Sequence, residues 1–330
     1  MKSHFDLLLF YFLLLLLTSC KKENPIIPVN NEGFAIYFLK DSTLKIKDIP
    51  NKDINSLELE ETPWISDRDI EFYDFSSHCI YLKMDKSYFF PDYKSIFELP
   101  FSWIEKPYVV VAGKKIRYVG YIQSALYTKI PWPFPDISDI EIRYYPSDIL
   151  HLDWDFAFTI DKRNNEYVKK SLKDLNLLHE GLTVTIDSLW IDNSDTTSIR
   201  YQITIKNNEK DNLYVLDSDK MGTGLFHYFT NGPMLYNANN NTFYESIYKT
   251  IVKPNPYNYY DINWFTKINA GKSLTRNIAL RGYSRLPKGE YHCELTFNNP
   301  VNINKKDRLL FDGRYWIGPT KSETIGFNLN

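Results

Sequence analysis

Leu182-Thr183-Val184-Thr185-Ile186 and, after a gap, Ile199-Arg200-Tyr201-Gln202-Ile203-Thr204-Ile205 alternate apolar and polar residues almost without a break. Period two is the mark of a strand with one buried and one solvated face. Thr, Val, Ile and Tyr also suit a pleated, half-buried surface. Asn207-Asn208 follows as a turn signal, then a further run at Leu213-Tyr214-Val215-Leu216. Ile268 to Leu274, the turn at Pro287-Lys288-Gly289 and the alternating Tyr291 to Phe297 continue the rhythm. Short strands at regular spacing with turn residues between them predict an all-β unit over residues 181–330, with Ile317 to Phe327 as a final edge strand.

Upstream, residues 33–160 mix strands and short helices. GFAIYFLKD (33–41), HCIYLKM (78–84) and the alternating Leu57-Glu58-Leu59-Glu60 and Asp139-Ile140-Glu141-Ile142-Arg143-Tyr144 read as strands. Pro107 to Val111 and Ile116 to Tyr121, joined by Ala112-Gly113-Lys114-Lys115, form the clearest hairpin. Ser66 with Asp69 is a capping-box arrangement for a short helix, and Ser95 to Leu99 a second short helix. Residues 161–180 are predicted to be a connecting helix, with Tyr167, Val168, Leu172, Leu175 and Leu178 on one face. Asp161 is its expected N-cap and Gly181 its C-terminal left-handed residue. The expected fold is an α+β domain followed by an all-β sandwich, mainly β overall.

At the N-terminus, MKSHFDLLLFYFLLLLLTSC places a lysine before an unbroken apolar run from Leu7 to Leu17. That run is shorter than the roughly 20 apolar residues that span a bilayer, and it reads as a secretory signal peptide over residues 1–19. Leu17-Thr18-Ser19-Cys20 resembles the lipobox of bacterial lipoproteins. The resemblance implies lipid on Cys20, cleavage before it, and an anchor in the cell envelope. Asp6 departs from the usual purely basic start. Residues 20–32, with Lys21-Lys22-Glu23, Pro25 and Pro28, read as an extended tether. By analogy with lipoprotein sorting, Lys21 favours the outer membrane, and the charged start resembles export tags for its outer face.

The chain carries 39 basic and 41 acidic residues, which excludes the concentrated positive surface that nucleic-acid binding needs. Aromatics at 16% exclude disorder. Cys79 and Cys293 lie in strand-like runs and read as two buried thiols ahead of a disulfide. Residues 182–330 resemble the Ig-like or fibronectin-like envelope modules, through the Asn-Asn turn, Ala270-Gly271-Lys272-Ser273 and Pro287-Lys288-Gly289-Glu290-Tyr291. That resemblance implies a sandwich and no particular function. Asp67-Arg68-Asp69-Ile70, Ile80-Tyr81-Leu82-Lys83 and Val109-Val110-Val111 with Gly113-Lys114-Lys115-Ile116 are similar to the small α+β periplasmic head of the SecD protein-export family, which implies α+β architecture only.

No catalytic motif stands out. The six histidines have no ligand spacing with one another or with Cys beyond adjacent pairs that point to opposite strand faces, so no metal or cofactor is expected. Asp217-Ser218-Asp219 and Asp153-Trp154-Asp155 lack the glycine and closing glutamate of a calcium loop, and read as incidental surface acids. Met221-Gly222-Thr223-Gly224 lacks a phosphate-cradle lysine and reads as a mobile turn. Aromatics between Phe226 and Phe265 supply rigid contact area or fill a core. Tyr257, Tyr259, Tyr260 and Trp264, with Trp132 in its proline-flanked loop, are the candidate ligand-binding residues. The expected function is a non-enzymatic binding or assembly module for a surface glycan or protein. The alternatives are an envelope hydrolase with its site between the two units, and a structural envelope component. A deep cleft holding two carboxylates about 5–10 Å apart would favour the hydrolase; an exposed aromatic row on the second unit would favour binding.

Overall fold

The computed structural model describes residues 33–90, 101–124, 132–154, 159–193, 197–244, 251–256, 259–300 and 302–330. With 44% strand and 18% helix the described residues are mainly β. Cys20, Tyr257 and the short helix expected at Ser95 to Leu99 lie outside the described residues. No helix among the described residues is long and apolar enough to cross a membrane.

The first half holds β1 (Phe34–Phe38), β2 (Ile65–Ser66), β3 (Ile70–Asp74), β4 (Cys79–Leu82), β5 (Pro107–Ala112), β6 (Lys115–Gln123), β7 (Asp136–Ser138), β8 (Ile149–His151) and β9 (Leu178–His179), with helices α1 (Asp139–Tyr144) and α2 (Glu166–Asp174). They form a five-stranded sheet, β2-β1-β5-β6-β7, and a four-stranded sheet, β8-β4-β3-β9. Alternation along β1 explains why all of it is buried. Phe34, Ile36 and Phe38 pack toward the four-stranded sheet, while Ala35 and Tyr37 pack under the loop holding Ile46, Leu57 and Leu59. The β5–β6 hairpin forms as expected, its turn at Gly113 and Lys114 with φ of 56° and 63°. Two left-handed residues in a row match the twist of the flanking strands. The Ser66–Asp69 capping box is present, Asp69 Oδ2 accepting from Ser66 N at 2.8 Å.

The second half holds β10 (Leu182–Asp192), β11 (Thr197–Asn207), β12 (Asn212–Leu216), β13 (Pro233–Asn237), β14 (Thr242–Tyr244), β15 (Phe265–Ile268), β16 (Ser273–Tyr283), β17 (Gly289–Asn299), β18 (Leu309–Leu310), β19 (Gly313–Tyr315), β20 (Gly318–Lys321) and β21 (Ile325–Leu329), with α3 (Ser218–Met221), α4 (Thr223–Thr230) and α5 (Lys305–Arg308). The sheets run β10-β11-β16, β15-β12-β19-β18, and β14-β13-β17-β20 with β21 also on β17. The opening alternation is β10 paired with β11, as expected, with a bulge between Ile186 and Ser188. The final edge is two strands, β20 and β21.

Several local expectations differ. Asp139 to Tyr144 is helical: Ser138 caps it through its Glu141 N contact at 3.1 Å, and Ile140 is exposed while Ile142 is buried. At the other end, Lys86 Nζ donates to Ile142 O (2.6 Å) and Tyr145 O (2.9 Å), satisfying carbonyls that the helix leaves unpaired. The helix expected over 161–180 runs only from Glu166 to Asp174, because Asn165 caps it and Asn176 adopts the left-handed conformation after it. Leu178–His179 is then a strand, parallel to β3. Leu57 to Glu60 contributes one isolated bridge, Leu39 with Leu59, and buries its leucines without a ladder. Gly222, at φ 82°, is the joint between α3 and α4. Asp217 is fully buried, paired with Arg276 at 2.6 Å and capping α3, so it is no surface acid.

The four-stranded sheet joins the two halves. Ile80 and Leu82 point into the first-half core, while Cys79, Tyr81 and Ile149 belong to the core of the second half. Both cysteines are buried free thiols in that shared core. Burial pushes the Cys293 thiol up to about 12. Charged pairs lock the contact. Arg314 reaches Asp74 at 3.0 Å and lies over the Phe72 and Tyr81 rings, and Arg308 holds Asp148 at 2.6 Å. At the joint, Gly181 has φ 68° and donates its N–H to Glu209 Oε1 at 2.7 Å. A Cβ there would collide with Ser76 Oγ and Asp74 Oδ1.

Candidate functional site

Between the halves lies a cleft of about 1150 Å³. From the first half, α1, Asp153, Trp154, Asp161, Arg163 and Asn164 line it; from the second, β10, α4, β17 and the segment after it do. This volume is at or above the upper end of small-molecule pockets, roughly 300–1,000 Å³. The rings of Phe75, Tyr144, Trp154, Tyr228 and Phe229 line it among Asn, Thr, Lys and carboxylate side chains. Tyr144 is 45% exposed, so its ring is presented to the opening.

The polar floor is built locally. α1 presents Glu141, and two residues apart on one strand-like face, β8 and the residues after it present His151 and Asp153. His151 Nδ1 stands 2.6 Å from Glu141 Oε1, and the His151 ring stacks on Tyr145 at 5.0 Å. One donor atom from each of Glu141, His151 and Asp153 lies within 4.8 Å of the other two. Asp136 and Asp153 exchange backbone hydrogen bonds, which fixes the strand position of Asp153. Burial pushes the Glu141 carboxyl up, against the pull of His151. Glu141 Oε2 and His151 Nε2 are both buried and have no hydrogen-bond partner among the described residues.

Beside this group, Arg163 grips Asp161 with Nε at 3.0 Å and NH2 at 2.7 Å, and also donates to Leu152 O. Burial works to raise Asp161, but Arg163 outweighs it and holds the carboxyl below its usual range. His78 Nδ1 lies 3.0 Å from Tyr73 Oη, and its Nε2 lies 3.9 Å from Asp161. Burial first, then Arg163, pushes His78 well below the ordinary imidazole range, so its ring stays neutral.

The residues expected to bind ligand sit elsewhere. Trp132 is half-buried and packs on the core under β5 and β6, its backbone N–H donating to Tyr121 Oη at 3.4 Å. Tyr260 and Trp264 pack against the second-half core; Tyr260 stands edge-on to Phe265 at 6.0 Å. Tyr259, 46% exposed, stands edge-on to Trp264 at 5.8 Å. Trp264 meets Phe229 at 6.2 Å, and so supports a ring of the cleft from behind. Tyr259, Tyr260 and Trp264 are brought together as packing, and Trp132 is not part of that group. Glu141, His151 and Asp153 were missed. The available signal was His-x-Asp at strand spacing, obscured because Glu141 was assigned to a strand. No protein-family model matches this chain, and no curated protein matches it.

Proposed function

We propose that this chain is a cell-envelope lipoprotein, held to the outer membrane through lipid on Cys20, that binds a surface glycan in the cleft between its halves. The cleft itself carries the reading. Its rings offer flat apolar faces for sugar rings, and the Asn, Thr and Asp groups beside them offer hydrogen bonds to hydroxyls. The second half is proposed as an Ig-like sandwich. Its support is one core shared by the inward residues of β10, β11 and β16 and by those of β13 and β17. Residues 161–180 then serve as the connection, α2 resting on the first-half core through Val168 and Leu172.

Titration calorimetry of the full chain in detergent against fractionated envelope glycans tests the proposal. Saturable binding that falls more than about tenfold in Tyr144→Ala and Tyr228→Ala is expected, since each ring removes stacking area. Wild-type affinity in both variants, or no binding of any fraction, overturns it. Cys20→Ser is expected to release the chain from membranes; sedimentation with them would remove the anchor from the proposal. A hydrolase reading draws on Glu141 and Asp153 sharing the cleft floor, one oxygen of each within 4.8 Å of the other, near the roughly 5–5.5 Å carboxyl spacing of retaining glycosidases. Release of reducing ends from a bound glycan, abolished by Asp153→Asn, would establish it in place of simple binding.

A further inference from the structure

We propose that Glu141, His151 and Asp153 form a binding site for one divalent transition-metal ion, zinc in particular, on the floor of the cleft. Two carboxylates and an imidazole are a donor set that zinc accepts, whereas calcium and magnesium take sets built from oxygen alone. The spacing is close to what an ion needs. With bonds of about 2.0–2.2 Å, a tetrahedral zinc holds its ligand atoms about 3.3 Å apart. The three donor atoms already lie within 4.8 Å of one another. His151 Nδ1 and Glu141 Oε1, at 2.6 Å, would open slightly as the ion replaces the proton between them.

Unused bonding capacity supports the same conclusion independently. Glu141 Oε2 is sealed from solvent and has no hydrogen-bond partner among the described residues. A buried polar atom is ordinarily satisfied, so an orphan oxygen inside this cluster calls for an explanation. A cation held by the Glu141 carboxylate engages the second oxygen by bidentate coordination. It also offsets two acidic groups that share a part-buried site. Arg163 attracts both acids, but its hydrogen bonds go to Asp161 and Leu152 O. Asp153 and Glu141 both line the cleft, so the ion has an entry path and an open coordination position on that side.

The site does not depend on the glycan reading, since metal binding is measured without any glycan. The full chain in detergent is stripped with chelator, dialysed against Zn²⁺ and analysed for bound metal, and Co²⁺ is substituted for absorption spectra. About one equivalent per chain is expected, with a raised melting temperature and cobalt bands typical of a low-coordinate N/O site. Glu141→Gln and Asp153→Asn should each weaken Zn²⁺ binding more than about tenfold. His78→Gln, outside the triad but in the same region, should leave it unchanged. Asp153 is only half-buried, so its variant remains informative if Glu141→Gln fails to fold. A folded wild-type chain that keeps no zinc overturns the proposal. So does an Asp153→Asn variant, folded by circular dichroism, that binds zinc like the wild type.

Discussion

One row of the four-stranded sheet carries two clusters of opposite character. His151 pairs with Cys79, Cys79 with Asp74, and Asp74 with His179, so all four side chains share a face. At the Asp74 end the acids meet partners: Arg314 at 3.0 Å from Asp74 and 3.6 Å from Glu209, with His179 3.0 Å from the other Glu209 oxygen. At the His151 end, Glu141 and Asp153 gather around one imidazole; buried atoms without a hydrogen-bond partner among the described residues occur at both ends, Glu141 Oε2 and His151 Nε2 here, Arg314 Nε and His179 Nδ1 there. Only the sealed thiol of Cys79 separates them. The first cluster pairs opposite charges; the second, on the proposal above, is arranged for binding at some cost to stability, as functional sites commonly are.

Breaking the paired end should have the largest effect. Arg314→Met leaves Asp74 buried without a counter-charge, and urea unfolding should show a loss of about 3–5 kcal/mol. Gly181→Ala, at the joint beside the same cluster, forces a side chain into a left-handed conformation and against Ser76 and Asp74. A loss of about 2 kcal/mol is expected in the same assay. A pH series tests the region beside the binding end. Buried His78 stays neutral, whereas the unfolded chain takes up a proton as pH falls below 6.5. The unfolded state then binds more protons, so stability declines below that pH, and His78→Gln should flatten the decline. The smallest change is expected at the binding end itself. Glu141→Gln removes a desolvated acid with an unpartnered oxygen, and should alter stability by less than about 1 kcal/mol in either direction. A loss as large as that of Arg314→Met would erase the contrast.

What could be read from sequence was whatever closes over a few residues. The Gly113-Lys114 hairpin, the Ser66–Asp69 box and the β10–β11 alternation are short-range, and all three are present. Asp139 to Tyr144 alternates well enough to pass for a strand, but its helix is completed by Lys86, 56 residues from Ile142. Once that segment is read as extended, Glu141 moves away from His151 and the cleft floor disappears from view. The pairs between the halves were further out of reach. Asp148 finds Arg308 across 160 residues, with no pattern in either segment to announce it. The aromatic run from Phe226 to Phe265 divides in another way, Tyr228 and Phe229 lining the cleft and Trp264 meeting Phe229, a distinction that composition does not make.

The contact between Asp74 and Arg314 spans 240 positions along the chain. A nascent chain therefore carries a carboxylate destined for complete burial long before its guanidinium exists. Until β19 has joined β12 in its parallel register, the four-stranded sheet has no finished second face. Closing so long a loop is slow, and the first half must wait with that face open to water. Maturation is thus expected to have a last step set by topology, and a chain cut short before residue 314 is expected to expose Cys79, Tyr81 and Ile149 as an adhesive surface.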